Sequence, residues 1–289
     1  MILYQCDISS YTKDAGGLKY LEHMFEYEDG EKVFDDKEGI IVMSSEYIER
    51  YNLLNQKSMA NITFHKGNIF NTKMQTIVNT VNCVGVMGKG IALVFKLRYP
   101  DMFEKYKELC QRKLIGIGKL WLYKSESCPQ WVLNFPTKFH WKYPSKIEYL
   151  EAGLQKFVDT YKEKGITSIA FPLLGTHNGG LNKVEVLDLM YKYLEKCNIT
   201  IEIYEYDPLS PDDIFDNFKE KWNCISYSEK KNIMGNRLTK QIEIIDKAIN
   251  EDQIKSMISL IEYQGIGFTT IQKCFDLVMS CKIKPTLDF

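Results

Sequence analysis

Residues 76–98 read TIVNTVNCVGVMGKGIALVFKLR. The stretch opens as a buried strand through Ile77 and Val78 and carries two asparagines, Asn79 and Asn82. It then becomes a glycine loop, Gly85, Val86, Met87, Gly88, Lys89 and Gly90, and launches an apolar helix at Ile91. A strand, a loop of small residues and a helix N-terminus together make a cradle for an anion. Backbone N–H groups and the positive end of the helix dipole converge there. The loop matches neither a Walker A nor a dinucleotide fingerprint, so alone it says only that a phosphorylated ligand is bound.

Around this stretch strands and helices alternate. Residues 61–65, 119–124, 131–135, 168–172 and 199–204 read as further strands. A helix is predicted over 101–112 after Pro100 breaks the first one. Ser145 and Glu148 have capping-box spacing, and Ile147, Leu150, Leu154, Phe157, Val158 and Tyr161 recur at helical spacing up to Gly165. A second glycine loop, Gly175, Thr176, His177, Asn178, Gly179 and Gly180, follows the strand that ends at Pro172, and Asn182 and Glu185 cap the next helix. This pattern predicts an α/β fold over residues 60–207, a mixed sheet covered on both faces. Ligands in such folds lie at the carboxyl ends of the strands, so both loops can reach one crevice.

The two ends of the chain read differently. Residues 1–59 form an N-terminal extension without an assignable role, with strands expected at 1–4 and 39–43 and helices at 18–27 and 45–54. Residues 208–289 show no strand alternation and read as a small helical domain: Ser210-Pro211 starts a helix, and others are expected at 238–249, 251–263 and 268–281. The 264–267 stretch QGIG suits a glycine turn between packed helices, or the hairpin of a helix-hairpin-helix module that binds a DNA phosphate.

Composition narrows the partners. A net charge of −1 confines any nucleic-acid contact to a local patch. One candidate is KFHWKYPSK at 138–146, where Lys138, Lys142 and Lys146 interleave with Phe139, Trp141 and Tyr143 around His140. Lysines among aromatics are the composition of a single-stranded nucleic-acid platform; a half-buried aromatic cluster with solvated lysines has the same letters. The sequence shows neither a signal pattern nor an apolar run of about 18 residues, so a soluble cytoplasmic protein without membrane contact is expected. Eight cysteines without a C-x-x-C pair read as free thiols in a reducing compartment. Four histidines lack metal-ligand spacing, so no metal and no cofactor are expected.

Three blocks, NTVNCVGVMGKGIA at 79–92, NFPTKFHW at 134–141 and PLLGTHNGGL at 172–181, resemble in this order a macrodomain. The resemblance is to the DarG type, the DNA ADP-ribosyl glycohydrolase antitoxins, and more distantly to the human terminal ADP-ribose glycohydrolase. It covers residues 61 to 207 and neither end. It implies a three-layer α/β/α macrodomain that holds ADP-ribose in the crevice. Gly67, Asn68 and Ile69 fall at the adenine, with Asn68 where many macrodomains place an aspartate; asparagine can still accept from the adenine amine. Asn79, Asn82 and the loop from Gly85 to Ile91 would wrap the distal ribose and diphosphate, with Thr137 beside them. Gly175 to Leu181 would close over the diphosphate from the other side. Lys89 would be a charge near the ligand.

Lys138 matches the family's catalytic lysine. It follows a strand end and a proline; Phe139 and Trp141 could desolvate it, and His140 and Lys142 are cations close in sequence. Desolvation and like charge both lower an ammonium pKa and free a nucleophilic amine. The amine would attack the anomeric carbon and expel the base. If that base is thymine, the departing imide anion is delocalised and needs little acid assistance. Phe139, His140, Trp141 and Lys142 would contact nucleic acid. The second loop departs from the family: Thr176 and His177 replace a small pair, and Gly179 stands where the human relative has a catalytic aspartate. His177 could narrow the pocket or donate a proton near the distal ribose.

The resemblance thus implies an enzyme that removes ADP-ribose from a DNA base, an antitoxin whose partner is a DNA ADP-ribosyltransferase toxin. The alternatives are an ADP-ribose reader without turnover and a hydrolase of ADP-ribosylated protein.

Overall fold

The computed structural model describes residues 4–5, 34–35, 40–41, 61–124, 130–235 and 239–279. The chain divides into two compact units, Met1–Ser58 and Met59–Phe289. In the first, strands β1 (Tyr4–Gln5), β2 (Phe34–Asp35) and β3 (Ile40–Ile41) pair antiparallel in the order β1-β3-β2. The helices expected at 18–27 and 45–54 lie outside the described residues.

The second unit is built on a six-stranded mixed sheet. Its strands are β4 (Asn61–Gly67), β5 (Thr76–Asn82), β6 (Trp121–Tyr123), β7 (Trp131–Lys138), β8 (Ser168–Pro172) and β9 (Thr200–Tyr206), in the order β4-β9-β8-β5-β7-β6. All neighbours pair parallel except β6, which runs antiparallel to β7. The central strand β5 is buried at every residue but Thr80, its polar Thr76, Asn79 and Asn82 included.

Helices cover both faces. Helix α3 (Ile147–Thr160) buries Leu150, Leu154 and Phe157 and α4 (Lys183–Leu194) buries Val186, Leu189 and Met190; both join a core with Val78, Leu133 and Phe171. On the opposite face α1 (Gly90–Arg98) and α2 (Pro100–Gln111) cover Ile77 and Val81. The C-terminal helices belong to that same core: α5 (Phe215–Cys224), α6 (Tyr227–Met234), α7 (Thr239–Ala248), α8 (Met257–Glu262) and α9 (Phe268–Met279). Helices α8 and α9 pack directly on α1.

Several local expectations are corrected. Ser145 does not cap α3: the N-cap is Lys146, without a side-chain bond, and the Ser145 N–H donates to the Gly179 carbonyl at 3.0 Å. The backbone of Ser145 is thus committed to the second glycine loop, and the helix starts beyond it. Ser210-Pro211 does not open α5: its N-cap is Ile214, and Asp212 ahead of it accepts from the N–H groups of Ile214 (3.1 Å) and Phe215 (2.8 Å). The expected helix at 251–263 contracts to α8, capped by Ser256. Residues 264–267 are the turn from α8 to α9, with the Ile266 N–H donating to the Tyr263 carbonyl at 3.1 Å. Helix α6, with a capping box of Ser226 and Glu229, was not expected from the sequence.

Candidate active site

Parallel pairing brings five strand ends to one edge of the sheet. Gly67 lies opposite Tyr206, Pro172 opposite Tyr204, and Asn82 opposite Lys138 after an irregularity between Val81 and Asn82. A cleft of about 660 Å³ runs along this edge. Its lining includes Gly67, Asn68, Ile69, Asn82, Val86, Gly88, Lys89, Gly90, Ile91, Thr137, Lys138, Trp141 and residues 175–179.

The first glycine loop is held from below. Asn82 Oδ1 accepts from the N–H groups of Val84 (3.0 Å) and Val86 (3.4 Å), and its amide donates to the Val86 carbonyl at 2.6 Å. The buried Tyr106 hydroxyl donates to the Asn82 carbonyl at 2.6 Å. Burial pushes that phenol far above its usual range, so it stays a donor. The loop delivers the chain to α1, whose N-cap Lys89 makes no side-chain capping bond. The first amides of α1 are therefore left for a ligand at the positive end of the helix. By contrast, α4 is capped by Asn182, which accepts from Val184 and Glu185.

The second loop approaches the first closely. A Cβ on Gly90, which has φ +59°, would sit 2.6 Å from Asn178 Nδ2. One on Gly179 would sit 2.1 Å from the Gly175 carbonyl oxygen and 2.4 Å from Ser145 Oγ. A side chain at Gly179 would collide with the backbone of its own loop. His177 is exposed at the cleft, and the Thr176 hydroxyl donates to the Leu173 carbonyl at 3.1 Å.

Lys138 ends β7 at the cleft, and its ammonium donates to the Asn178 carbonyl, tying that strand end to the second loop. Burial holds its pKa below the ordinary lysine value. The cations expected to assist contribute nothing to that shift, and the Lys142 ammonium lies 5.1 Å over the Trp141 ring. His140 stacks on Trp141 (5.5 Å) and meets the Tyr143 ring at a tilt (5.4 Å), and Phe139, Trp141 and Tyr143 are all exposed. Behind Lys138, burial pushes the Cys83 thiol up to about 11. It stays a neutral donor to the Lys138 carbonyl.

Not every expected residue reaches the cleft. Asn79 is buried beneath it, its amide donating to Asn134 Oδ1 at 2.9 Å. Met87 is buried in the core and Gly85 packs on Lys107 of α2. Gly180 and Leu181 lie outside the lining, as do Phe139, His140 and Lys142; the Leu181 N–H closes the second loop on the Gly175 carbonyl at 3.1 Å. Residues missed from sequence also line it: Thr80, Val81, Ala92, Pro172, Leu173, Lys183, Tyr204, Glu205, Tyr206, Ile258 and Glu262. Those at strand ends were legible in principle, since every parallel strand ends at the crevice. Nothing in the sequence pointed to Ile258 or Glu262. Among the described residues no cluster of His, Cys, Asp and Glu could hold a metal ion, and no helix is long and apolar enough to cross a membrane.

Two amide-rich loops facing each other over the carboxyl edge of an α/β/α sheet define an anion-cradling domain of the macrodomain class. Residues 78–190 match the family model described as Macro domain, and the chain carries a macrodomain of the DarG type. It is 41% identical over 150 residues to the DNA ADP-ribosyl glycohydrolase of Thermus aquaticus, covering 51% of this chain and 41% of that one. It is 39% identical over 165 residues to a DNA ADP-ribosyl transferase–DNA ADP-ribosyl glycohydrolase fusion protein of Thermosipho africanus, covering 51% and 42%. A solved structure, Thermosipho africanus DarTG in complex with ADP-ribose, is 41% identical with a TM-score of 0.49, covering 51% of this chain and 42% of that one. The chain thus spans about two fifths of the length of these relatives.

Proposed function

We propose that the cleft binds ADP-ribose and that Lys138 releases it from a base of DNA. The observation that carries this reading is the position of the Lys138 amine. It is partly desolvated, bonded to the Asn178 carbonyl, and lies at the cleft beside both glycine loops and next to an exposed aromatic–lysine patch. The dimensions agree. Four strand steps separate β4 from β7, which at about 4.8 Å each puts Asn68 roughly 19 Å from Lys138. That is the reach of an extended ADP-ribose, whose diphosphate would pass the uncapped start of α1.

In the reaction the Lys138 amine attacks the anomeric carbon. The N–C bond forms as the glycosidic bond breaks, and the electron pair leaves on the base nitrogen, which takes the proton released by the lysine adduct. Water then displaces the lysine and regenerates the amine. The patch at Phe139, Trp141 and Tyr143 stacks flanking bases, and Lys142 meets a phosphate. The biological partner in this reading is a DNA ADP-ribosyltransferase toxin, whose product is the substrate here; the name of the Thermosipho africanus fusion relative supports that pairing.

The test is incubation with ADP-ribosylated single-stranded DNA. Free DNA and ADP-ribose should appear with the wild type and not with Lys138→Ala, while Lys138→Ala still binds ADP-ribose. Tight binding without release by the wild type overturns the catalytic reading. Release from an ADP-ribosylated glutamate peptide and not from DNA overturns the substrate.

A further inference from the structure

One segment is bonded to both glycine loops and also carries the exposed rings. Residues 138–145 leave β7 at Lys138 and run to Ser145, just ahead of α3. At the root of the first loop, the Cys83 N–H donates to the Phe139 carbonyl at 3.1 Å and the Cys83 thiol to the Lys138 carbonyl at 3.3 Å. The bonds to the second loop fall on consecutive carbonyls. The Lys138 ammonium donates to that of Asn178, and the Ser145 N–H to that of Gly179 at 3.0 Å. The segment is therefore a strap, tied to the second loop at both of its ends.

Between these anchors the strap is braced. The Tyr143 N–H donates to the His140 carbonyl at 3.1 Å, and the Lys142 N–H to His140 Nδ1 at 3.2 Å. The His140 ring stacks on Trp141. Trp141, Lys142, Tyr143 and Pro144 are exposed, whereas Ser145 is 4% exposed. A cross-braced turn does not absorb a displacement of its rings locally, so the displacement passes to the anchors. Ser145 Oγ is buried without a partner, so the anchor at that end is the backbone N–H and not the hydroxyl.

The Asn178 carbonyl matters because it accepts from the reacting amine. An amine with one N–H committed to a fixed acceptor keeps its lone pair in one direction, and orientation of a reacting group is a large part of catalytic rate. That carbonyl is steadied by its neighbour at Gly179, which the Ser145 N–H holds.

We propose that the strap carries the grip of the nucleotides flanking the modified base to the Lys138 amine, and that the Ser145 N–H is the positioning group that passes it on through the Gly179 and Asn178 carbonyls. This rests on the reading of Lys138 as the nucleophile that releases ADP-ribose from DNA. It adds a substrate preference: a modified base within a strand over the same base in a mononucleotide, expressed in the rate at saturation. The binding energy of the flanking nucleotides is used at the reacting centre rather than in affinity alone.

The test compares two substrates in single turnovers with the full chain in excess. One is thymidine monophosphate carrying ADP-ribose on its base; the other is a single-stranded oligonucleotide with the same adduct at an internal position. The saturating rate constant should be at least about tenfold higher for the oligonucleotide. A backbone ester in place of the Ser145 amide removes the N–H and adds no bulk. It should bring the oligonucleotide down to the rate of the mononucleotide, with ADP-ribose affinity within about threefold of the wild type. Ser145→Ala keeps the N–H and should keep the oligonucleotide advantage. Phe139→Ala/Tyr143→Ala, which alters exposed side chains, should lose it. An oligonucleotide that lowers the half-saturating concentration but reacts at the mononucleotide's saturating rate overturns the proposal. So does an ester variant that keeps the advantage, or one that slows both substrates by the same factor, as a strap that merely props the loop would. If the ester variant melts below the wild type, Phe139→Ala/Tyr143→Ala decides, and an advantage retained there overturns the proposal. A wild type that releases ADP-ribose from neither substrate refutes the catalytic reading itself, and the proposal with it.

Discussion

Replacing Gly179 by alanine tests the closeness of the second loop. The added Cβ falls 2.1 Å from the Gly175 carbonyl oxygen and 2.4 Å from Ser145 Oγ. The first neighbour is backbone and cannot rotate away. Restoring an ordinary C···O contact of about 3.3 Å requires a displacement of about 1.2 Å. That shift disturbs the bond from the Ser145 N–H to the Gly179 carbonyl and moves the Asn178 carbonyl that holds Lys138. Overpacking of this kind costs roughly 1–3 kcal/mol, which lowers Tm by roughly 2–12 °C in a unit of this size. The effect on ligand binding should be larger. If the second loop binds the diphosphate through its amides as proposed, losing two such bonds to a charged group costs about 3–6 kcal/mol, roughly a 10²–10⁴-fold rise in Kd. Calorimetric titration with ADP-ribose and a thermal melt measure the two effects. Gly180→Ala is the internal control: its φ of +77° imposes strain of roughly 1–2 kcal/mol, but a Cβ there meets nothing within 4 Å. Gly179→Ala binding within about threefold of the wild type would refute the reasoning, as would an equal loss in Gly180→Ala.

Three further outcomes are expected. In the proposed reaction, single-turnover base release should rise with pH about tenfold per unit and level off at a midpoint below 10.5, because burial lowers the Lys138 pKa and only a neutral amine can act as the nucleophile; a flat profile between about pH 6 and 9 contradicts this. The double variant Phe139→Ala/Tyr143→Ala, which removes rings 60% and 63% exposed, should weaken single-stranded DNA binding at least about tenfold in fluorescence anisotropy and leave ADP-ribose affinity unchanged. Asp212→Ala strips the acceptor from three buried N–H groups, those of Ile214, Phe215 and Met257, and should cost about 2–4 kcal/mol, read as a Tm drop of roughly 5–15 °C.

Much of this fold is legible because its signals are local. Strand periodicity, the glycine loops and the helical spacing from Leu150 to Phe157 each depend on a few consecutive residues, and the structure keeps them in place. The misreadings occur where a residue is claimed by something distant. Ser145 has the letters of a cap, yet its N–H belongs to Gly179. Asn79 sits in the cradle's strand, yet its amide is spent on Asn134 across the sheet.

By itself the sequence determined the alternating α/β order, the two amide-rich loops, the lysine that ends β7 and the macrodomain class, because each is written in contiguous residues with a fixed local geometry. Only the tertiary structure decided which strand ends share the cleft, that the Asn178 carbonyl accepts from Lys138, and that Ile258 and Glu262 of α8 join the lining. Those facts follow from strand order and from buried polar ties such as Asp212 to Met257. Such ties join residues far apart in the chain, and no local pattern encodes them.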